Sequence, residues 1–100
     1  MYNGEARALG TVKATHARRV TQTLEARYRT EQDRSVRQNI LEAIARLGFA
    51  NAIPILASLR GIDSTLDAEI DVWLEAMKLN RQQWTHLRQE KDRLARARGL

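Results

Sequence analysis

Apolar residues recur at three- and four-residue spacing along most of the chain, which is the spacing of one face of an α-helix. The clearest stripe comprises Leu66, Ile70, Trp73, Leu74 and Met77. Asp63 or Ser64 stands just before this stripe, and both residue types are good helix N-caps. The pattern therefore predicts a helix from about residue 63 to about residue 80, with Trp73 in the core.

Two earlier segments show the same periodicity. From about Thr15 to Arg29 the apolar positions are Ala17, Val20, Leu24 and Tyr28. Asp33 is a good N-cap for the next helix. The predicted inner face of that helix comprises Val36, Ile40, Ala43, Ile44 and Leu47. Gly48 is expected to end it, because glycine commonly follows the last turn of a helix.

A short helix is predicted after this glycine. Asn51 is its expected cap, and Gly61 marks its end. Pro54 falls in its first turn, where the missing N–H would have no helical partner anyway.

The two ends of the chain have weaker patterns. The stretch through about Ala14 is expected to be a frayed or short helix, and a last helix is predicted from Gln82 to about Arg96. Trp84, Leu87 and Leu94 face inward on this last helix, although Lys91 interrupts the stripe. The predicted organisation is an N-terminal segment over residues 1–14, a repeat domain over 15–80 and a basic C-terminal helix over 81–100.

The second and fourth predicted helices are related by an internal repeat. A shift of 30 residues places Asp33 on Asp63, and the apolar positions then coincide: Val36 with Leu66, Ile40 with Ile70, Ile44 with Leu74, and Leu47 with Met77. A repeat of this kind, built from two short antiparallel helices, is typical of stacked helical repeats. One helix pair cannot bury its own apolar face, so neighbouring pairs must cover each other.

The first copy of this repeat resembles the HEAT-like repeat of bacterial repeat proteins and of the phycobilisome-lyase group. That pattern is an aspartate, two variable residues, Val-Arg, an apolar helix ending in Leu-Gly, and a short Ala-Ile-Pro-x-Leu helix. The residues that match it in order are Asp33, Val36, Arg37, Ala43, Leu47, Gly48, Ala52, Ile53, Pro54 and Leu56. The resemblance covers roughly Val20 to Met77, with one good repeat and half-matched flanks.

This resemblance implies an all-α fold, a short HEAT-like α-α superhelix of about two helix pairs plus a terminal helix. It also implies that Asp33 caps the inner helix and that Asp33 and Arg37 link to the equivalent residues of neighbouring repeats. The later copy departs from the pattern, because Asp67 stands in place of Arg37 and Lys78 in place of Gly48. About two repeats leave apolar end faces uncovered, which predicts self-association as a dimer.

Composition narrows the class of protein. Among the 100 residues, 43% are hydrophobic and 29% charged, which is ordinary for a folded globular domain. No cysteine is present, which excludes disulfides and thiolate zinc sites and makes a cytoplasmic location the expectation. No apolar run is long enough to cross a bilayer, so no membrane partner is expected.

Charge is unevenly distributed along the chain, whose formal net charge is +5. Residues 1–30 carry six basic and two acidic side chains, residues 31–80 five and eight, and residues 81–100 six and two. A chain that is basic at both ends and acidic in the middle can pack its ends on its middle or present opposite faces to different partners.

The sequence predicts no enzyme, cofactor or metal ion. His16 and His86 lie far apart, and neither has a carboxylate at metal-ligand spacing beside it. No Gly-rich phosphate loop or serine nucleophile motif is present. Both histidines are therefore interpreted as surface residues, and a lyase or other enzyme is suggested only by association with the family.

The function predicted from these features is a protein-binding scaffold or adaptor. Trp84 is the expected exposed anchor, because tryptophan is enriched at binding hot spots, and Leu87 and Arg88 of the same helix complete the predicted patch. A second predicted surface is the acidic ridge of Asp67, Asp71 and Glu75, which recur every four residues. The ridge is either a solvated face or a docking surface for a basic segment, from a partner or from this chain's own basic helix.

The alternative function is a HEAT-like nucleic-acid-binding module. Arginine supplies nearly all of the positive charge, and a concave surface lined by arginines can follow phosphates. The residues assigned to this alternative are Arg18, Arg19, Arg34 and Arg37. Ion pairs between these arginines and the acidic middle of the chain are the competing interpretation.

Overall fold

The computed structural model describes residues 2–79 and 83–100, with side chains for residues 16–48, 51–79 and 83–100. Within these ranges the chain forms five α-helices and one 3-10 turn, and no strand. The helices are α1 (Tyr2–Thr30), α2 (Arg34–Gly48), α3 (Ile53–Ser58), α4 (Ser64–Lys78) and α5 (Trp84–Ala97), and the 3-10 turn spans Phe49–Ala52. The predicted all-α, repeat-like fold class is confirmed.

Helices that follow one another in the chain also pack against one another, from α1 on α2 through to α4 on α5. In addition α2 contacts α4, although α3 lies between them in sequence. The two helices related by the 30-residue repeat are therefore neighbours in space, as expected of stacked helical pairs.

The α4 stripe forms the centre of the core largely as predicted. Leu66, Ile70, Trp73 and Met77 are buried, whereas Leu74 is only partly buried. Two further residues of this helix, Val72 and Ala76, are fully buried and were not predicted. A helix that packs against neighbours on both sides buries a wider arc than a single stripe.

α2 also buries residues that lie outside its predicted stripe. Ile40 and Ile44 are buried as predicted, but the predicted inner residue Leu47 is exposed. Leu41 and Ala45 are fully buried instead. The reason is that α2 packs against α1, α3 and α4, so its buried face turns away from the sequence stripe.

The break between two helices that was predicted near Ala14 is absent, because α1 runs as one helix from Tyr2 to Thr30. Glycine inside a helix costs about 1 kcal/mol relative to alanine, which weakens a helix without necessarily ending it. Thr21 lies on the buried face of α1, where its hydroxyl donates to the Arg18 carbonyl at 2.8 Å. The division at residues 1–14 and 15–80 stays a prediction for domain organisation.

Helix starts follow the predicted caps at two of three positions. The Asp33 carboxylate accepts from the Ser35 backbone N–H at 2.8 Å, and the Asp63 carboxylate accepts from the Thr65 N–H at 3.0 Å. Asn51 does not cap α3, because it lies inside the 3-10 turn and Ala52 precedes the helix. The predicted start of the last helix at Gln82 lies outside the described residues, and that helix ends at Ala97.

α2 ends at Gly48, as predicted, although this glycine has a helical backbone rather than a left-handed one. A Cβ atom at this position would lie 2.9 Å from the Cβ atom of Ala52. Glycine is therefore needed for the close approach between the end of α2 and the following turn. Gly61, in contrast, has a φ of 92° and sits in the loop that leads to α4.

Candidate functional site

Arg37 joins three helices at the contact between α2 and α4. Its guanidinium Nη1 lies 3.2 Å from Asp63 Oδ2, and both side chains are mostly buried. The guanidinium also lies over the Tyr28 ring of α1, 5.5 Å from its centroid. Asp63 occupies in the second copy the cap position that Asp33 occupies in the first. This contact has the form that the family resemblance implies for Arg37 and the neighbouring repeat.

Three further hydrogen bonds, from two side chains of α2, run beside this pair. Arg34 donates from Nε to the Thr65 hydroxyl at 3.1 Å and from Nη2 to the Thr65 carbonyl at 3.3 Å. Gln38 donates to Glu69 Oε2 at 3.1 Å. We call this set of polar contacts between α2 and α4 the α2–α4 seam, and it holds the beginning of α4 against α2.

The electrostatics of the seam favour a charged Asp63. A hydrogen bond from the Thr65 hydroxyl, at 2.6 Å, is the main cause that lowers the pKa of the Asp63 carboxyl, and Arg37 lowers it further. Burial raises the pKa of the Tyr28 hydroxyl above its ordinary value. The seam is thus a fixed ion pair above a neutral phenol, which fits a structural role.

The four arginines assigned to the nucleic-acid alternative lie in two different settings. Arg34 and Arg37 belong to the α2–α4 seam, so phosphate binding by either would have to break bonds that hold α4 in place. Arg18 and Arg19 are exposed on α1, and neither forms an ion pair among the described side chains. The structure does not bring all four residues to one free surface.

The acidic ridge on α4 is engaged by groups of this chain. Arg60 and Asp71 form a two-bond pair, with Nε to Oδ1 at 2.9 Å and Nη2 to Oδ2 at 3.2 Å. Asp67 accepts from the Gly61 N–H at 3.0 Å, and Glu75 pairs with Arg98 beyond α5. The last contact is the docking of the chain's own basic end that the sequence left open. Because the ion-paired side chains are substantially exposed, these pairs contribute little to stability.

A groove lies between α3 and α4, with a volume of about 560 Å³. We call it the α3–α4 groove. Its floor is apolar and consists of Ile53, Ala57 and Leu74. Its charged rim consists of Asp71, Glu75, Lys78 and Arg98. Two residues of the acidic ridge thus stand beside open apolar surface rather than on an isolated solvated face.

Sequence reasoning missed the floor of this groove. Leu74 was placed inward with the α4 stripe, but it lies at the edge of that stripe and faces the groove with Asp71 and Glu75. Asp71 lies three residues before it and Lys78 four residues after it, and residues at this spacing share a helical face, which is the signal that could have marked Leu74 as a boundary residue. Ile53 and Ala57 reach the groove only through the packing of α3 on α4, which the sequence pattern does not specify.

The predicted patch around Trp84 is not an exposed surface. Trp84 stacks on Trp73 with 5.6 Å between ring centroids and 15° between ring planes, and the Arg46 guanidinium lies 5.8 Å from the Trp84 ring centroid. Leu87 is buried in the core, and Arg88 pairs with Glu42 of α2 at 3.1 Å. The prediction of Trp84 as an exposed anchor is wrong, because this patch attaches α5 to α4 and α2.

A second concave region, of about 570 Å³, lies between α2, α4 and α5. Lys91 crosses it, with its ammonium 3.2 Å from Glu69 Oε1 and 5.1 Å from the Trp73 ring centroid. Cationic and anionic side chains alternate around this region, among them Arg34, Asp92 and Arg96. The Lys91–Glu69 pair is mostly buried, so a ligand could fill this region only by opening a contact that holds α5 against α4.

The remaining candidate features among the described residues are the histidines, possible metal ligands and possible membrane-spanning helices. His16 and His86 are both exposed, on α1 and α5 respectively. No group of three histidine, aspartate or glutamate side chains is placed to hold a metal ion among the residues described. None of the described helices is both long enough and apolar enough to cross a membrane.

No model of a known protein family matches the chain, and no curated protein and no solved structure matches it either. Assignment to the HEAT-like repeats therefore depends on the residues between Asp33 and Leu56 that carry the resemblance. The features described above for the α3–α4 groove are the basis for a functional proposal.

Proposed function

We propose that the chain is a protein-binding scaffold or adaptor built from HEAT-like repeats, and that a partner docks in the α3–α4 groove. The observation that carries the proposal is the apolar floor of this groove, which stays open between two packed helices. Ile53 and Leu74 are only partly buried there, and Ala57 is exposed. A partner that covers this floor gains apolar burial that the chain itself does not supply.

The dimensions and chemistry of the groove suit a helix of the partner. An amphipathic helix binds by placing apolar side chains in a groove and polar side chains along its edges. Here the apolar floor lies along α3 and α4, and the charged rim is formed by three residues of α4 together with Arg98, which follows α5. The groove volume is also within the range of about 300 to 1,000 Å³ that is usual for binding sites.

A second copy of the chain is one such partner. About two repeats leave apolar ends uncovered, and the predicted dimer would cover them. Sedimentation over a range of concentrations measures this association directly. The cytoplasmic location expected from the absence of cysteine belongs to the same proposal.

Nucleic acid is the second candidate partner, and the exposed neighbours Arg18 and Arg19 on α1 favour it. Binding through these side chains should weaken with salt, with a log-log slope of about −0.9 for each phosphate neutralised. Arg18→Gln combined with Arg19→Gln should then abolish duplex binding, whereas Ala57→Arg in the α3–α4 groove should leave duplex binding unchanged. A duplex affinity that is absent or independent of salt removes this candidate.

Site-specific cross-linking tests the main proposal. Ala57 is replaced by p-benzoylphenylalanine, and Asn39, exposed on α2 outside the groove, receives the same residue as the control. We expect a partner protein to cross-link at position 57 and not at position 39. The identified partner is then purified, and Ala57→Arg should weaken its binding to the otherwise unmodified chain. Equal cross-linking at both positions, no cross-link at position 57, or full binding by Ala57→Arg contradicts the proposal.

A further inference from the structure

The rim of the α3–α4 groove holds two carboxylates one helical turn apart, Asp71 and Glu75. Each is paired with a guanidinium in this structure. Arg60 binds Asp71 through two parallel bonds, and Arg98 binds Glu75. The rim therefore already accepts two cationic side chains at the spacing of one turn, which is the spacing of residues i and i+4 on a partner helix.

These two pairs are suited to exchange. All four side chains are exposed to between 41% and 50%, so water competes with each bond. Exposed pairs of this kind change an equilibrium constant by only a few-fold. A partner's arginine or lysine can thus replace Arg60 or Arg98 at small cost, while the partner's apolar face covers the floor of the groove.

Arg98 has a special position in this exchange. It follows the last residue of α5 and lines the groove, so its guanidinium occupies space that a docked helix would use. Arg60 pairs with Asp71 from the loop after α3 and does not line the groove. Among the two arginines, Arg98 is therefore the one that a bound helix must displace.

From this geometry we infer the chemistry of the partner and a competitor within the chain. The partner is an amphipathic helix with two cationic side chains, one turn apart, beside its apolar face, and Arg98 competes with one of them for Glu75. This inference rests on the proposed function, since it assumes that the α3–α4 groove is the docking site. Lys78 is the remaining cation of the rim, and an acidic partner is the outcome that it would favour.

Three designed peptides test the inference. Each is an amphipathic helix of about 18 residues, long enough to be helical in isolation, with the same leucine face. They differ at two flanking positions one turn apart, which hold arginine, glutamine or glutamate. Calorimetry at low and high salt measures their affinity for the full chain and for Glu75→Gln, Arg98→Gln and Arg93→Gln. Arg93 is the matched control because it is exposed on α5, pairs with Glu90 and does not line the groove.

We expect the arginine peptide to bind about threefold more tightly than the glutamine peptide, because only its pair with Glu75 is new and its pair with Asp71 would merely replace that of Arg60. Glu75→Gln should weaken the arginine peptide about threefold, and Arg98→Gln should strengthen it about threefold. Arg93→Gln should leave it unchanged. The gain in Arg98→Gln should disappear when Glu75 is also changed to glutamine, because competition for Glu75 needs that carboxylate, whereas relief of the space that Arg98 fills does not.

The remaining outcomes separate this inference from the proposed function. Equal binding of all three peptides, lost in Ala57→Arg, would keep the groove as a docking site and overturn the inference about charge. Preference for the glutamate peptide would also overturn it. If no peptide binds, the inference is wrong, and the cross-linking at position 57 decides the proposed function independently.

Discussion

The carboxylates of the α4 region divide between two sides of the helix. On the side that faces α2 and α5, Asp63 and Glu69 are 16% and 20% exposed, and their partners Arg37 and Lys91 are buried to a similar degree. On the side of the α3–α4 groove, Asp71 and Glu75 are 41% and 44% exposed. All four acids form ion pairs, so the presence of a pair does not distinguish the two sides.

Burial is what distinguishes them. A mostly buried pair cannot lose one partner without leaving a charge in a poorly solvated place, whereas an exposed acid that loses its partner is hydrated at once. The α2–α4 seam is therefore part of the structure that holds the repeats together. The groove side is where we propose that a partner docks, because its exposed pairs can open at small cost to the fold.

The largest difference should appear between two adjacent residues, Trp73 and Leu74. Trp73 is buried beneath the seam side, stacked on Trp84, whereas Leu74 is partly exposed at the groove. Trp73→Ala should lower the free energy of unfolding by about 3 to 5 kcal/mol. Leu74→Ala should lower it by only about 1 kcal/mol, since less apolar surface is uncovered. Urea titrations measure both, and equal losses would show that the groove floor is core.

Arg37 and Arg60 each pair with an aspartate, but their removal should change the free energy of unfolding by different amounts. Arg37→Met keeps the side-chain stem over Tyr28 but leaves Asp63 without its cation, and we expect a loss of about 2 kcal/mol in unfolding free energy. Arg60→Met removes the exposed partner of Asp71 and should cost less than about 0.5 kcal/mol. Comparison of the two urea midpoints checks this. A neutral Arg37→Met would mean that the seam is not needed for stability.

The pH dependence of stability should carry the signature of Asp63. Its pKa is lowered from the ordinary value of 3.8 by the Thr65 hydroxyl and by Arg37. The folded state therefore binds the Asp63 proton less tightly than the unfolded state, and folding favours the ionised carboxylate. This contribution is fully present above pH values near the ordinary pKa and is lost as pH falls through the lowered pKa.

Asp63→Asn should consequently show a shallower loss of stability in that acidic window than the wild type. The loss should not vanish, because the pKa of Glu31 is also lowered, chiefly by a hydrogen bond from the Asp33 N–H. Urea midpoints measured at neutral and acidic pH report the change. Identical slopes for wild type and Asp63→Asn would indicate that the carboxylate is not held by the seam.

The smallest effect is expected at the groove rim. Glu75→Gln breaks the pair with Arg98, yet both side chains are largely hydrated, and stability should change by less than about 0.5 kcal/mol. Thermal unfolding at low and high salt measures it. A large destabilisation would place Glu75 among the structural residues and remove the contrast between the two sides.

The sequence pattern predicted the helices well wherever a cap and a stripe agreed. Asp33 and Asp63 mark the starts of α2 and α4, and the α4 stripe is mostly buried. These features are local, because a cap bonds to N–H groups within three residues and a stripe follows from the helical period. The prediction of a separate short helix before Ala14 was wrong, because glycine lowers helix propensity without preventing a helix.

The candidate site was less predictable, because burial depends on contacts between segments distant in sequence. Tryptophan is a residue type typical of exposed binding anchors, which is why Trp84 was predicted to be one. Only the packing of α5 on α4 places it against Trp73. Arg37 resembles other arginines of the chain until α4 brings Asp63 to it. The acidic ridge was recognised from its spacing, but its neighbours Ile53 and Ala57 come from a separate helix.

A chemical-shift map of the isotope-labelled chain, titrated with the arginine-flanked peptide, tests the contrast between the two sides most directly. We expect the shifts to concentrate at Ala57, Leu74 and Glu75, and the Arg98 side chain to move as it leaves Glu75. The resonances of Arg37 and Asp63 should stay in place, because the α2–α4 seam does not open on binding. Shifts centred on the seam or on Arg18 and Arg19, with the groove unchanged, would contradict the account.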